Sequence, residues 1–469
     1  MADRARSFLA PRAWVGSGAQ AGWADNVMLS CGPDGLWSEI AVNVTAAVAT
    51  AAGAQRLAGP VLPGLVNAHS HAFQRAIAGL TERSSAGEDD FWRWRDRMYS
   101  VANRITPLQL EAIAAHLYGE LLCSGYTHVC EFHYLHNDEA GRPYADPAEM
   151  ALALVRAARL VGIGLTLLPT LYMRAGFGAA GLRDDQLRFA STPDTVLRIS
   201  EAVQLQAQAA GLGGVVRSGV ALHSLRAVGE DALKEIAHAA RGRLPVHIHI
   251  AEQHQEVTEG LAQLGRRPIE WLLDNLPIDA SWNLVHATQA TRSELAAIHA
   301  AGAAIVICPS TEANLGDGVF DLPAWLVQGG AWSIGSDSHV TRSAAEELRL
   351  LEYSQRLTLR QRNVAARAAG CDSSAAALFQ GALQGGSAAA GLPLGGLAIG
   401  QRADFLVIDP DAAPLLGVPP DALLDALVFS SGEGAGRAVY SVVHVAGRPL
   451  MRADTAPAFV QAMRGLGTH

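Results

Sequence analysis

Between about residue 60 and residue 390, short apolar runs alternate with longer Ala-, Leu-, Arg- and Glu-rich stretches of helical character. In order, the runs are Pro60–Asn67, Thr127–His133, Gly164–Leu171, Ser218–Leu222, Pro245–Ile250, Trp282–His286, Ala303–Cys308 and Ala331–Ser336. Eight strand–helix units predict a (β/α)8 barrel, whose usual length is ~250 residues before insertions. Periodicity alone also fits a doubly wound open sheet. The two chain ends follow a different rhythm. Trp37-Ser38-Glu39-Ile40-Ala41-Val42 alternates polar and apolar positions between turn residues, while Phe405-Leu406-Val407-Ile408 and Val439-Tyr440-Ser441-Val442-Val443-His444 are β-branched runs flanked by turn residues. They are expected to pair as one small β-sandwich domain. The predicted organisation is therefore 1–60 and 390–469 in the sandwich and 61–389 in the barrel.

A barrel makes a demand on the chain, because the active-site groups of such folds lie at the C-terminal ends of the strands. His69 and His71 follow the first run, and His133 and Tyr134 the second. His223 follows the fourth, His249 the fifth, His286 the sixth and Asp337 the eighth. In an extended strand, positions i and i+2 face the same side, so His69 and His71 can offer two imidazoles to one cation. An isolated His-x-His is a weak signal; a set of strand-end histidines with an aspartate is a stronger one.

Composition narrows the partners. The 469 residues are 49% hydrophobic and 17% charged, enough for a large buried core. Net charge is −9, and among the 36 basic residues Lys234 is the only lysine, with no basic run to neutralise a phosphate backbone. Nucleic acid is excluded as a partner. The start, Met1-Ala2-Asp3-Arg4-Ala5-Arg6, leads into no secretion signal, and nothing approaches the ~20 apolar residues of a membrane span. A cytoplasmic protein is expected. The five cysteines, Cys31, Cys123, Cys130, Cys308 and Cys371, form no CxxC pair, so they are read as reduced and structural.

The stretch Val61-Leu62-Pro63-Gly64-Leu65-Val66-Asn67-Ala68-His69-Ser70-His71 resembles the PGxxNxHxH opening of the amidohydrolase superfamily, and the contexts of Glu252, His286 and Asp337 match the same pattern. The resemblance implies that His69, His71, His249 and Asp337 hold one divalent metal. Three imidazoles and a carboxylate suit zinc, with iron and manganese as the other ions these ligand types accept. In Val246-His247-Ile248-His249-Ile250-Ala251-Glu252 the family's HxxE spacing selects His249, and His247 is read as a core histidine. Binuclear members use a bridging lysine or acid, but Lys234 lies in a helical segment, which argues for a single ion. Glu252 would carry a proton to a leaving nitrogen, while His286 and Asp337 would orient water or accept its proton. His339 receives no role.

Longer segments resemble the branch of the superfamily that deiminates formimidoylglutamate. They are Glu131-Phe132-His133-Tyr134-Leu135-His136, Ala221-Leu222-His223-Ser224-Leu225-Arg226, Val285-His286-Ala287-Thr288-Gln289 and the stretch from Cys308 to Gly318. That resemblance implies hydrolysis of N-formimidoyl-L-glutamate to N-formyl-L-glutamate and ammonia in histidine degradation. A small dicarboxylate calls for cations and neutral donors: Arg226 as a two-pronged clamp, with His223, Tyr134 and Gln74 as donors. In Phe91-Trp92-Arg93-Trp94-Arg95-Asp96-Arg97-Met98-Tyr99, Arg95 is the candidate for a second carboxylate contact. An oligomer contact is the competing reading of this aromatic and Arg-rich segment, and a homodimer is expected. Two other functions compete: deamination of an aminated heterocycle such as a purine or pterin, and a metal-free scaffold. The scaffold is disfavoured because every ligand is present.

Overall fold

The computed structural model describes residues 5–16, 18–82, 91–431 and 439–467; Met1–Arg4 and the side chains of Phe91, Trp92 and Arg93 lie outside the described residues. Eight parallel strands make the barrel: β1 (Leu65–Ser70), β2 (Tyr126–His133), β3 (Gly164–Leu171), β4 (Val220–Leu222), β5 (Val246–Ile250), β6 (Trp282–His286), β7 (Ala304–Ile307) and β8 (Trp332–Ile334). Each pairs in parallel with the next. Every residue of these strands is buried, which is why they read as near-continuous apolar runs rather than alternating ones.

Closure between β8 and β1 passes through the candidate ligands themselves. Ser70 and Asp337 form a parallel bridge, Asp337 N donates to His69 O at 3.0 Å, and His71 N donates to Asp337 O at 3.2 Å. The two strands are also tied by Asn67, whose Nδ2 donates to Ser336 Oγ at 2.7 Å and whose Oδ1 accepts from Ser336 N at 2.9 Å. Gly335 permits this approach, since a Cβ there would lie 2.6 Å from the His69 Cβ.

Helices follow the strands, and some of them start at side-chain caps. Thr106 and Gln109 form a capping box before Pro107–Cys123, as Thr291 and Glu294 do before Arg292–Ala301. Between β1 and Pro107–Cys123 the chain adds the helix Phe91–Ala102. No helix among the described residues is long and apolar enough to cross a membrane.

The chain ends build a second sheet of eight strands. Along it run Arg448–Pro449, Tyr440–Val445, Phe405–Ile408, Val61–Pro63, Arg6–Val15, Gly22–Cys31 and Trp37–Ala41, with Gln55–Arg56 beside Arg6–Val15. The sheet curls around its own core of Phe8, Val27, Leu29, Trp37, Phe405 and Val407. Trp37, from one end of the strand order, packs on Phe405 at 5.6 Å, and its backbone N–H donates to Gln401 O at 2.8 Å.

The first apolar run divides between the two sheets. Val61–Pro63 pairs antiparallel with Phe405–Val407, whereas Leu65–Ser70 belongs to the barrel. The switch occurs at Gly64, where a Cβ would come within 2.2 Å of Thr127 Cγ2. β1 therefore starts later than the run that contains it.

Candidate active site

At the C-terminal ends of the strands, three imidazole nitrogens and a carboxylate oxygen converge. His69 Nε2 lies 3.1 Å from His71 Nε2 and 3.0 Å from His249 Nε2. Asp337 Oδ1 lies 3.5 Å from His69 Nε2 and 3.3 Å from His71 Nε2. The outer nitrogens settle two of the tautomers. His71 Nδ1 faces Phe132 O at 2.8 Å and His249 Nδ1 faces His223 O at 3.0 Å, and a carbonyl only accepts, so both Nδ1 atoms carry the proton. Their Nε2 atoms then present bare lone pairs toward His69 at hydrogen-bond distance. One proton on His69 Nε2 could serve only one of these lone pairs well, whereas a shared cation would take both, and an N3O donor set of this kind fits zinc.

Electrostatics prepare the same groups. Burial pushes His69 down to about 3 and lowers His71 and His249, keeping the imidazoles neutral as a metal requires. For Asp337 burial opposes ionisation, but the neighbouring His69, His71 and His286 outweigh it and hold the carboxyl well below the usual range.

Backbone strain is concentrated here as well. His286 (φ 70°), Asp337 (φ 46°), Ala251 (φ 50°), Ala287 (φ 50°) and His339 (φ 64°) occupy the left-handed region, half of the described non-glycine residues that do so. Such conformations persist only where surrounding contacts enforce them.

Beside the cluster stands His286, at the end of β6. Its Nδ1 lies 3.3 Å from Glu312 Oε1, and its Nε2 is 3.8 Å from both Glu252 Oε1 and Asp337 Oδ2. Burial works against its charge, but Glu252, Glu312 and Asp337 outweigh it and raise the ring to about 10, favouring its protonated form. Glu252 moves upward because burial penalises its charge, with Asp337 and Glu256 adding to the effect and His286 and Arg226 opposing it.

These groups border a cavity whose wall holds the sequence-derived substrate candidates Gln74, Arg95, Tyr134, His223 and Arg226. Gln74 Nε2 donates to Tyr134 Oη at 3.3 Å. His223 packs on Tyr172 at 4.3 Å and approaches Ser224 Oγ with Nδ1 at 3.2 Å. Arg226 is 6% exposed, and the charges of Glu256 and Glu252 favour its cationic form against burial. Arg95 comes from the helix Phe91–Ala102 and lies over the Tyr99 ring at 5.6 Å.

Other histidines fall outside the cluster. His247 Nε2 meets Ala389 O at 3.0 Å, as a core residue does. His339 bonds Ser336 Oγ and His71 O, supporting the β1–β8 seam. Sequence reasoning overlooked several groups. Glu312, within the stretch from Cys308 to Gly318, lies 3.3 Å from His286 Nδ1. Tyr99 lines the cavity, and Gln186 joins it to Tyr172 through Nε2 contacts of 3.4 and 3.1 Å. Glu131 accepts from Ser70 Oγ at 2.7 Å and Ala72 N at 2.6 Å, on both sides of His71. Only Glu131 carried a signal, an acid near the end of an otherwise apolar run.

Known proteins share this architecture. The amidohydrolase family profile matches residues 61–441. A formimidoylglutamate deiminase from Pseudomonas aeruginosa is 46% identical over 452 residues, covering 94% of this chain and 96% of that one. The crystal structure of an amidohydrolase from Brucella melitensis superposes with a TM-score of 0.88 at 40% identity, covering 98% of this chain and 99% of that one. An adenosine deaminase from Xanthomonas campestris, solved with bound zinc, has a TM-score of 0.77 at 21% identity over 98% and 97% of the two chains, a likeness of fold alone. With the match running from the His-x-His strand through the aspartate at the barrel seam, the chain belongs to the amidohydrolase family.

Proposed function

We propose that the protein hydrolyses N-formimidoyl-L-glutamate to N-formyl-L-glutamate and ammonia, a step of histidine degradation, with one zinc ion held by His69, His71, His249 and Asp337. One observation carries the reading: two arginines, Arg226 and Arg95, line the same cavity as the histidine–aspartate cluster, as a dicarboxylate with a hydrolysable head requires. The sequence likeness to the Pseudomonas deiminase supports it independently.

A divalent ion at these ligands supplies a water whose pKa falls toward ~7. The protein's groups manage the protons. Hydrolysis adds water across the formimidoyl C=N bond: oxygen bonds to carbon, nitrogen gains protons, and ammonia leaves as the hydroxyl proton is lost. Asp337 Oδ2 and His286 Nε2 are 3.8 Å apart, and in this reading Asp337 accepts that proton. His286, whose protonated form the surrounding carboxylates favour, would donate from Nε2 to negative charge developing on oxygen. Glu252, its carboxyl raised by burial, delivers the proton to the departing nitrogen. Arg226 and Arg95 hold carboxylates of the substrate, and Gln74, Tyr134 and His223 add neutral donors.

The aromatic wall of Trp94, Tyr99 and Tyr134 favours a second reading, deamination of a flat heterocycle. Ammonia release from formimidoyl-glutamate, formimidoyl-aspartate and adenine-type substrates by the metal-replete protein separates the two. Turnover of formimidoyl-glutamate is expected; turnover of the heterocycle alone sinks the substrate assignment and leaves a metallodeaminase.

A further inference from the structure

The ring of His286 has a carboxylate behind it that the chemistry above does not use. Glu312 is buried on the short helix Pro309–Leu315, which follows β7. Its Oε1 accepts the backbone N–H of Cys308 at 2.9 Å and lies 3.3 Å from His286 Nδ1. We propose that Glu312 is a positioning residue for the hydrolytic reaction, fixing the rotamer of His286 by accepting from its Nδ1–H so that Nε2 alone faces Glu252 and Asp337.

Geometry carries the argument. Oε1 already accepts the Cys308 N–H, and as the acceptor atom it leaves the proton between the two groups on His286 Nδ1. With Nδ1 committed, the nitrogen left for the reaction is Nε2, 3.8 Å from Glu252 Oε1 and 3.8 Å from Asp337 Oδ2. The Cys308 N–H bond to Oε1 ties the carboxylate to the end of β7, and His286 itself has the enforced φ of 70°. Ring and carboxylate are thus fixed by neighbouring strands, the arrangement in which an outer carboxylate orients an imidazole.

His286, Cys308 and Glu312 could instead be read as ligands of a second ion, since their donor atoms lie within 4.8 Å of one another. The hydrogen bonds argue otherwise. Glu312 Oε1 is already an acceptor for backbone Cys308, and the buried Cys308 remains a thiol, its ionisation opposed first by burial and then by nearby carboxylates.

The inference rests on the hydrolytic reading of the site, but its test does not depend on which substrate is turned over. Glu312→Gln retains an acceptor, because the Cys308 N–H can only donate and holds the amide oxygen in place; it removes the charge. Glu312→Leu removes both. Each variant is compared with the parent on whichever amidine or heterocycle the parent hydrolyses. The expected result is a kcat loss of about 10–100-fold for Glu312→Leu, typical of lost outer-shell orientation, and a smaller loss for Glu312→Gln. KM and the one metal ion per chain stay unchanged. In the metal-free protein, a low-field proton resonance from the His286 Nδ1–H, absent in His286→Ala, is expected in the parent and in Glu312→Gln and not in Glu312→Leu. Unchanged kcat in both variants overturns the inference, as does a low-field resonance that survives in Glu312→Leu. Two ions per chain in the parent, falling to one in Glu312→Gln, would make the trio a metal site and also overturn it.

Discussion

Replacing Arg226 tests the substrate side of the site most sharply. The residue is 6% exposed and lines the cavity with Glu252 and His286. Its backbone is pinned independently of its side chain: Arg174 donates to Arg226 O at 3.0 Å, to Leu225 O at 2.8 Å and to Val228 O at 3.0 Å. A change of side chain therefore leaves the turn after β4 in place. A guanidinium–carboxylate clamp makes two charge-assisted hydrogen bonds, each worth about 1.5–3 kcal/mol. Taking about 3 kcal/mol as the net loss after water re-enters, Arg226→Met lowers kcat/KM for formimidoyl-glutamate by about 150-fold, at about 1.4 kcal/mol per factor of ten. Arg226→Lys keeps the charge but not the fork, and recovers about half of that free energy, leaving a loss of about tenfold. Steady-state ammonia release supplies the ratios, and elemental analysis checks that metal content is constant. An Arg226→Met enzyme within about threefold of the parent, or one that has lost its metal, refutes the assigned contact.

Two further outcomes follow from groups around the site. Burial, reinforced by Glu312 and Asp337 and opposed by the bonds from Ser310, pushes the Glu347 carboxyl up to about 8 from an ordinary 4.5. The folded state thus keeps this proton longer than the unfolded state, so its stabilising effect is full below pH 4.5 and is lost as pH rises through 8. Calorimetric Tm values for Glu347→Gln should match the parent near pH 5 and exceed it near pH 8.5; a difference independent of pH contradicts this assignment. Gln186 Nε2 joins the hydroxyls of Tyr172 and Tyr99, which fastens the Arg95-bearing helix to the barrel. Gln186→Leu should raise KM by about 5–10-fold, the equivalent of one hydrogen bond, with kcat and metal content held; a fall in kcat with unchanged KM would place its effect elsewhere.

The barrel was legible because parallel strands buried on both faces appear as unbroken apolar runs, and the cluster because each of its members lies near or just past the end of such a run. The same continuity hid the switch at Gly64. Val61–Pro63 and Leu65–Ser70 are equally apolar, and only the approach of Thr127 shows that they belong to different sheets. His247 and His249 share a strand face, so alternation alone does not separate them; the HxxE spacing picked out His249, and the two have different partners, Ala389 O for His247 and His223 O for His249. Glu312 stayed hidden for another reason. An acid just after Pro309 reads as a helix-start carboxylate, and its partner His286 lies 26 positions earlier, across a strand pair. Gln186 sits in the segment between β3 and β4, where no periodicity marks a residue that meets a helix 87 positions away.

The central claim is that one ion, held by His69, His71, His249 and Asp337, is required for deimination. It is tested most directly by stripping the protein with a chelator, adding zinc in steps and following ammonia release from formimidoyl-glutamate alongside bound metal. Activity is expected to rise in proportion to occupancy and to level off at one ion per chain, with His249→Ala neither holding the ion at stoichiometric zinc nor regaining activity. Full turnover by the stripped protein, or a plateau reached only at two ions per chain, would contradict the account.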